Sequence, residues 1–145
     1  MKKFEEFLKQ GVVKKQFPDK PRAQDLIIES DKTFKSVIEV VNKIGINNIN
    51  ANTIIKESYD AIMGLIRAKM LLEGFSCSGQ GAHEAEVSYL KELNFSEEEI
   101  HFTDRLRYFR NGIMYYGKGF DTEYAKKVIT FLKKLYPNLV KILGY

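Results

Sequence analysis

Apolar residues recur at helical spacing in every long segment of this chain, and no segment alternates with a convincing period of two. The sequence therefore predicts helices and no strand. A short amphipathic piece from Lys2 to Lys9 presents Phe4, Phe7 and Leu8. GVVKKQFPDKPR follows as a loop with two prolines, and Pro21 suits a helix start, where a missing N–H costs nothing. A long helix is predicted from Arg22 to Lys43, with Leu26, Ile27, Phe34, Val37, Ile38 and Val41 inward and Gly45 as its stop. Asn47–Asn52 reads as a turn whose amides cap the next helix. That helix, Thr53 to Glu73, is apolar on most sides, as expected of a central helix or one that touches a second chain. Ala61, Gly64 and Ala68 on it allow a neighbouring helix to come close, and Gly74 ends it.

FSCSGQG is predicted to be a flexible loop, and HEAEVSYLKEL, residues 83–93, a short helix with Val87 and Leu90 inward. Ser96 and Glu99 form a capping box that opens a helix running to Tyr116. GKGF breaks it. Asp121 caps a last helix with Tyr124, Val128, Ile129, Leu132 and Leu135 inward, which Pro137 is expected to kink or end. The predicted architecture is all-α: an up-and-down bundle of four main helices plus short ones. Residues 1–20 form an N-terminal arm and 21–145 the bundle domain.

The helix from 97 to 116 carries the most informative face. Phe102, Leu106, Phe109, Ile113 and Tyr116 fall in one stripe, the expected core side. Asp104, Arg107, Asn111 and Tyr115 lie opposite, with Tyr108 and Met114 beside them and Arg110 on the flank. Tyr, Met and Arg are enriched at interfaces, so this side predicts a partner surface, most simply a second copy of the chain. The alternative is that loop 74–82 or the N-terminal arm covers it.

Bulk properties narrow the class. The 145 residues have the length of one domain, and 44% hydrophobic with 29% charged is a globular balance. The single cysteine, Cys77, rules out an internal disulfide and suits a reducing cytoplasm. No apolar run approaches the roughly 20 residues a membrane span needs, and the charged start MKKFEEFLKQ is not expected to be an export signal. The net charge of +4 is uneven: residues 1–50 carry 10 basic and 7 acidic groups, 51–95 carry 4 and 6, and 96–145 carry 9 and 6. That bias permits contact with nucleotides or nucleic acid without demanding it.

At Arg110-Asn111-x-x-x-Tyr115-Tyr116-Gly117, late in a helix of an all-α chain, the sequence resembles the signature region of the HEPN family (higher eukaryotes and prokaryotes nucleotide-binding domain). The family motif is an arginine, often followed by asparagine, then four to six residues and a histidine. Tyr59-Asp60-Ala61 through Ala68–Gly74 is similar to the family's second helix, and His83 followed by Leu90 to its intervening loop and short helix; the likeness spans about residues 22–135. It implies a bundle that dimerises with motif residues lining a cleft at the interface. In active members the arginine and histidine form a metal-independent ribonuclease site; others bind nucleotides or scaffold, and many pair with a minimal nucleotidyltransferase antitoxin. Neither a cofactor nor a metal is implied.

Here Tyr115 occupies the histidine's place. Tyrosine titrates near 10 and histidine near 6.5, so Tyr115 is a poor proton shuttle at neutral pH. The resemblance thus favours a nucleotide- or RNA-binding or partner-interaction role for Arg107, Arg110, Asn111, Tyr115, Tyr116 and Lys118. The alternatives are a ribonuclease using Arg110 and Tyr115, or a purely structural dimer. Tyr115 and Tyr116 are also candidates for nucleotide attachment by such a partner.

Other constellations read as ordinary surface. Glu98-Glu99-Ile100-His101 holds one E-x-x-H, where a di-iron bundle needs two. GQG at 79–81 precedes a helix but lacks the strand of a dinucleotide fingerprint. Lys127, Lys134 and Lys141 make one basic side of the last helix, solvated or tracking an RNA backbone. Asp104 is placed to pair with Arg107, whereas Arg110 has no acid at helical spacing.

Overall fold

A computed structural model describes residues 1–117, 119 and 121–144, with the backbone alone for Tyr115 and Tyr116. Among these residues six helices and two short strands follow in the order α1 (Phe4–Lys9), β1 (Val13–Lys15), α2 (Lys20–Lys43), α3 (Ala51–Leu72), β2 (Phe75–Cys77), α4 (Ala82–Glu92), α5 (Glu97–Tyr116) and α6 (Thr122–Ile142). The four long helices form the expected bundle. α3 is its centre, packing against α2, α4, α5 and α6. Tyr59, Ile62, Leu65 and Ile66 on it are fully buried, which is why its sequence is apolar nearly all round. α2 lies outside it, with Val37 buried and Phe34 stacked on Tyr136 of α6 at 4.0 Å.

The α2–α3 contact depends on Gly64. A Cβ there would collide with Ser30 Oγ, itself buried on α2. Gly64→Ala is therefore expected to destabilise the fold by about 1–3 kcal/mol, as overpacking does. Ser30→Gly in the same chain should recover most of that loss in urea unfolding. Equal midpoints for wild type and Gly64→Ala would show that the helices are not held this closely.

Three expectations are corrected. Val13–Lys15 and Phe75–Cys77 are paired antiparallel strands, Val13 opposite Cys77, where loops were expected. Three residues are too few for alternation to register, and only Val13 of β1 is buried. Of the two outcomes expected at Pro137, the end of α6 does not occur, since the helix continues to Ile142. Pro137 is exposed while Leu135, Tyr136 and Leu139 around it are buried, so packing on the inner side offsets the roughly 3 kcal/mol cost of an interior proline. Asn50 does not cap α3 with its side chain. It accepts from Asn47 N–H at 2.9 Å and donates to Gly45 O at 2.8 Å, tying the preceding turn together.

α5 also sits rotated from its predicted stripe. Ile100, Thr103, Leu106 and Ile113 are buried, whereas Phe102 and Phe109 are half-buried. Thr103 can be buried because its hydroxyl donates to Glu99 O at 2.9 Å, so no polar group is stranded. The capping box at Ser96 and Glu99 and the Asp121 cap form as expected. The N-terminal segment joins the same core through Phe4 and Phe7, with Phe4 against Phe75 and Tyr89.

Candidate functional site

β2 leads into a turn through Gly79–Gly81, and α4 starts directly after it. Gly81 occupies the cap position of α4 at φ +87°, a conformation glycine adopts without strain, and it offers no side-chain cap. Facing this turn is the polar side of α5. Residues 79–84 together with Arg107 and Asn111 enclose a cavity of about 320 Å³. The side of α5 predicted to face a partner is thus bordered in part by the chain's own loop, the alternative considered for it. Asp104, Arg107 and Asn111 are half-buried; the open side of the helix carries His101, Arg105 and Tyr108, and Met114 is exposed in line with Arg107, two turns further on.

The expected Arg107–Asp104 pairing is present, Nε donating to Oδ1 at 2.9 Å. It leaves the Arg107 Nη groups unengaged by any described residue. Arg110 points elsewhere. Its Nη2 lies 3.4 Å from Asp60 Oδ1 on α3, and its guanidinium is 5.6 Å from the centre of the Tyr59 ring. The acid that the local sequence lacks is therefore supplied across the bundle. Arg110 Nε is buried without a hydrogen-bond partner among the described residues. The roles expected of the Tyr115 and Tyr116 side chains and of Lys118 lie outside the described residues.

Two further residues belong here. Tyr59, buried on α3, has its hydroxyl 3.1 Å from His83 Nδ1 at the start of α4. Burial holds the Tyr59 phenol far above its ordinary value of 10, with Glu86 adding to the rise against Arg107, Arg110 and Arg67. It stays protonated, and its hydroxyl donates to Nδ1 or accepts from Nδ1–H according to the His83 tautomer. His83 is held below its ordinary 6.5, first by partial burial and then by Arg67, Arg110 and Arg107, against the opposing pull of Glu86. The pocket thus holds a neutral imidazole near neutral pH, beside guanidinium groups. Glu84, on the same rim, limits how much anionic charge the cavity accepts.

The His83 shift has a sign that can be measured. The unfolded chain takes up a proton near pH 6.5 and the folded state resists it. Stability is therefore retained above that pH and lost as pH falls from 6.5 through the folded pKa. His83→Gln should flatten this part of the stability curve in denaturant titrations. A wild-type curve of the same slope would contradict the shift.

Behind the pocket, Glu86 of α4 is buried and receives Arg67 of α3 in a two-pronged pair, Nε–Oε2 at 2.6 Å and Nη2–Oε1 at 3.0 Å. This pair fixes α4, and with it His83, against α3. Among the described residues no group of three or more potential ligands is placed to hold a metal. His83 sits in a different element from Arg110, so helical spacing does not join them; the signal for it was its place in the resemblance, in the loop after the second helix. No protein-family model matches the chain, and neither a curated protein nor a solved structure matches it.

Proposed function

We propose that this chain is a HEPN-like protein that binds a nucleotide or RNA phosphate in the pocket between α5 and the 79–84 turn, and that it works as a homodimer through the open side of α5. The observation that carries the reading is the meeting of Arg107 and Asn111 with the start of α4 around one cavity. Arg107 presents Nη–H donors that no described residue engages, Asn111 an amide, and the uncapped first turn of α4 backbone N–H groups and the positive end of its dipole. Arg110, held by Asp60, stands beside Tyr59 as a second cation in reserve. Tyr108, large and exposed, supplies the apolar part of the dimer surface. A minimal nucleotidyltransferase is the partner the family resemblance suggests for the same surface.

Calorimetric titration of the purified protein with a mononucleotide and with a short single-stranded RNA tests the ligand, and sedimentation velocity tests the dimer. Saturable binding and a concentration-dependent dimer are expected. No heat with either ligand removes the binding role, and a monomer at all concentrations removes the dimer.

A ribonuclease reading is favoured by one observation, the neutral His83 hydrogen-bonded to Tyr59 in the pocket with Arg107. In the tautomer that keeps its proton on Nδ1 and donates it to the Tyr59 oxygen, the neutral imidazole leaves Nε2 to accept the proton of a 2′-hydroxyl, the role that Tyr115 fills poorly. On this reading, cleavage of RNA without metal is lost in His83→Ala and kept in Tyr115→Phe. The opposite pattern would return the base role to Tyr115.

A further inference from the structure

A second groove lies on the other side of α5, where it meets α6. Phe102 and Phe131 form its floor, their rings stacked at 4.2 Å and 27°. Tyr124 lies parallel to Phe102 at 6.4 Å, and Phe109 meets Tyr124 edge-on at 4.7 Å, so aromatic rings continue along the seam. Arg105 stands over Phe109 at 5.2 Å. The groove encloses about 430 Å³, and its wall is the basic side of α6. Lys126 is matched by Glu123 at 3.1 Å, whereas Lys127 and Lys134 have no acidic partner among the described residues. They are seven residues apart, two turns on one helix face, or about 10 Å along the axis.

We propose that this groove holds single-stranded nucleic acid, with bases against the Phe102–Phe131 pair and backbone phosphates on Lys127 and Lys134. The proposal extends the RNA reading above by adding a contact remote from the Arg107 pocket. Aromatic rings beside uncompensated cations are what a single strand needs, since every base offers a face to stack and every phosphate a charge to meet. An anionic membrane fits less well. Among the described residues the large exposed apolar ones are Met1, Phe17, Ile28, Ile44, Ile49, Tyr108 and Met114, and none is on α6, so this face offers little to insert into lipid. An extended acidic peptide finds no sheet edge to pair with in this groove, whose described lining comes from α5 and α6, and the Thr130 hydroxyl is already donated to Lys126 O at 3.1 Å.

The test is fluorescence anisotropy of a labelled twelve-nucleotide uridine strand, its deoxythymidine counterpart and anionic phosphatidylserine vesicles, with calorimetry of a mononucleotide in parallel. Both lysines are exposed, so Lys127→Glu/Lys134→Glu should fold as wild type, which its thermal melt checks. Affinity for both strands is expected to fall roughly 10-fold or more. The slope of log affinity against log salt should shrink by about 1.4, the share of two phosphates on a single strand. Mononucleotide affinity should not change. Strand affinity and salt slope equal to wild type would overturn the proposal, as would binding to vesicles with no binding to either strand. If wild type binds the strand in a lysine-dependent way but no mononucleotide, the groove stands and the Arg107 pocket reading falls.

Discussion

Arg67→Ala is expected to cost about 3–5 kcal/mol of folding stability, the largest single effect in the molecule outside the apolar core. Glu86 has 4% of its side chain exposed and depends on Arg67 for both carboxylate oxygens. Removing the guanidinium leaves a carboxylate in a poorly solvated place, stripped of the two donors it has. In a domain near this size the loss corresponds to roughly 6–20 °C in melting temperature. Because the penalty comes from the stranded charge, replacing both partners with apolar groups, Arg67→Met/Glu86→Leu, should recover most of it. The double variant being worse than Arg67→Ala would mean that the pair itself, not its imbalance, holds α4 on α3. The same change reaches the pocket: Arg67 helps hold His83 below 6.5 and Glu86 opposes it, so an NMR titration of Arg67→Ala should find His83 at a higher pKa than wild type.

The local parts of this fold could be read directly. The Ser96 capping box, the Asp121 cap, Pro21 in the first turn of α2 and the all-round burial of α3 each depend on residues within a turn or two of one another. Where the reading failed, a distant partner or a self-satisfied polar group decided the outcome. Val13–Lys15 is a strand because Phe75–Cys77, far along the chain, comes beside it. Thr103 is core because it bonds its own helix, so a stripe drawn through apolar residues passes it by. α6 runs through Pro137 because its buried side continues to Leu139.

The candidate site divides the same way. Arg107 with Asp104 is a neighbouring-turn pair and was visible. Arg110 with Asp60 and Tyr59 with His83 join separate helices, and helical spacing carries no trace of either. The family resemblance pointed at Tyr59, Asp60 and His83 as segments without saying that they meet. Tertiary packing turned a motif read on one helix into a cluster built from three.

That cluster leads to a second large expected effect, with opposite signs at its two ends. Arg107 borders the cavity with its Nη groups unengaged by any described residue, so Arg107→Ala should weaken nucleotide binding roughly 10- to 100-fold, the worth of a hydrogen bond to a charged group. Arg107→Lys should recover only part, because an ammonium keeps the charge but loses the planar fork. Arg110 is already engaged, so Arg110→Ala alone should matter less. Asp60 holds Arg110 through one 3.4 Å contact and is itself half exposed, so releasing it costs little stability. Asp60→Ala should therefore free a guanidinium, remove a nearby negative charge and tighten binding, by roughly two- to fivefold. Asp60→Ala/Arg110→Ala should lose that gain. Calorimetry with one mononucleotide across these five proteins and wild type gives the comparison. If Arg107→Ala binds as wild type does, the cavity is not the phosphate site; if Asp60→Ala weakens binding, Asp60 is orienting Arg110 toward the ligand instead of withholding it.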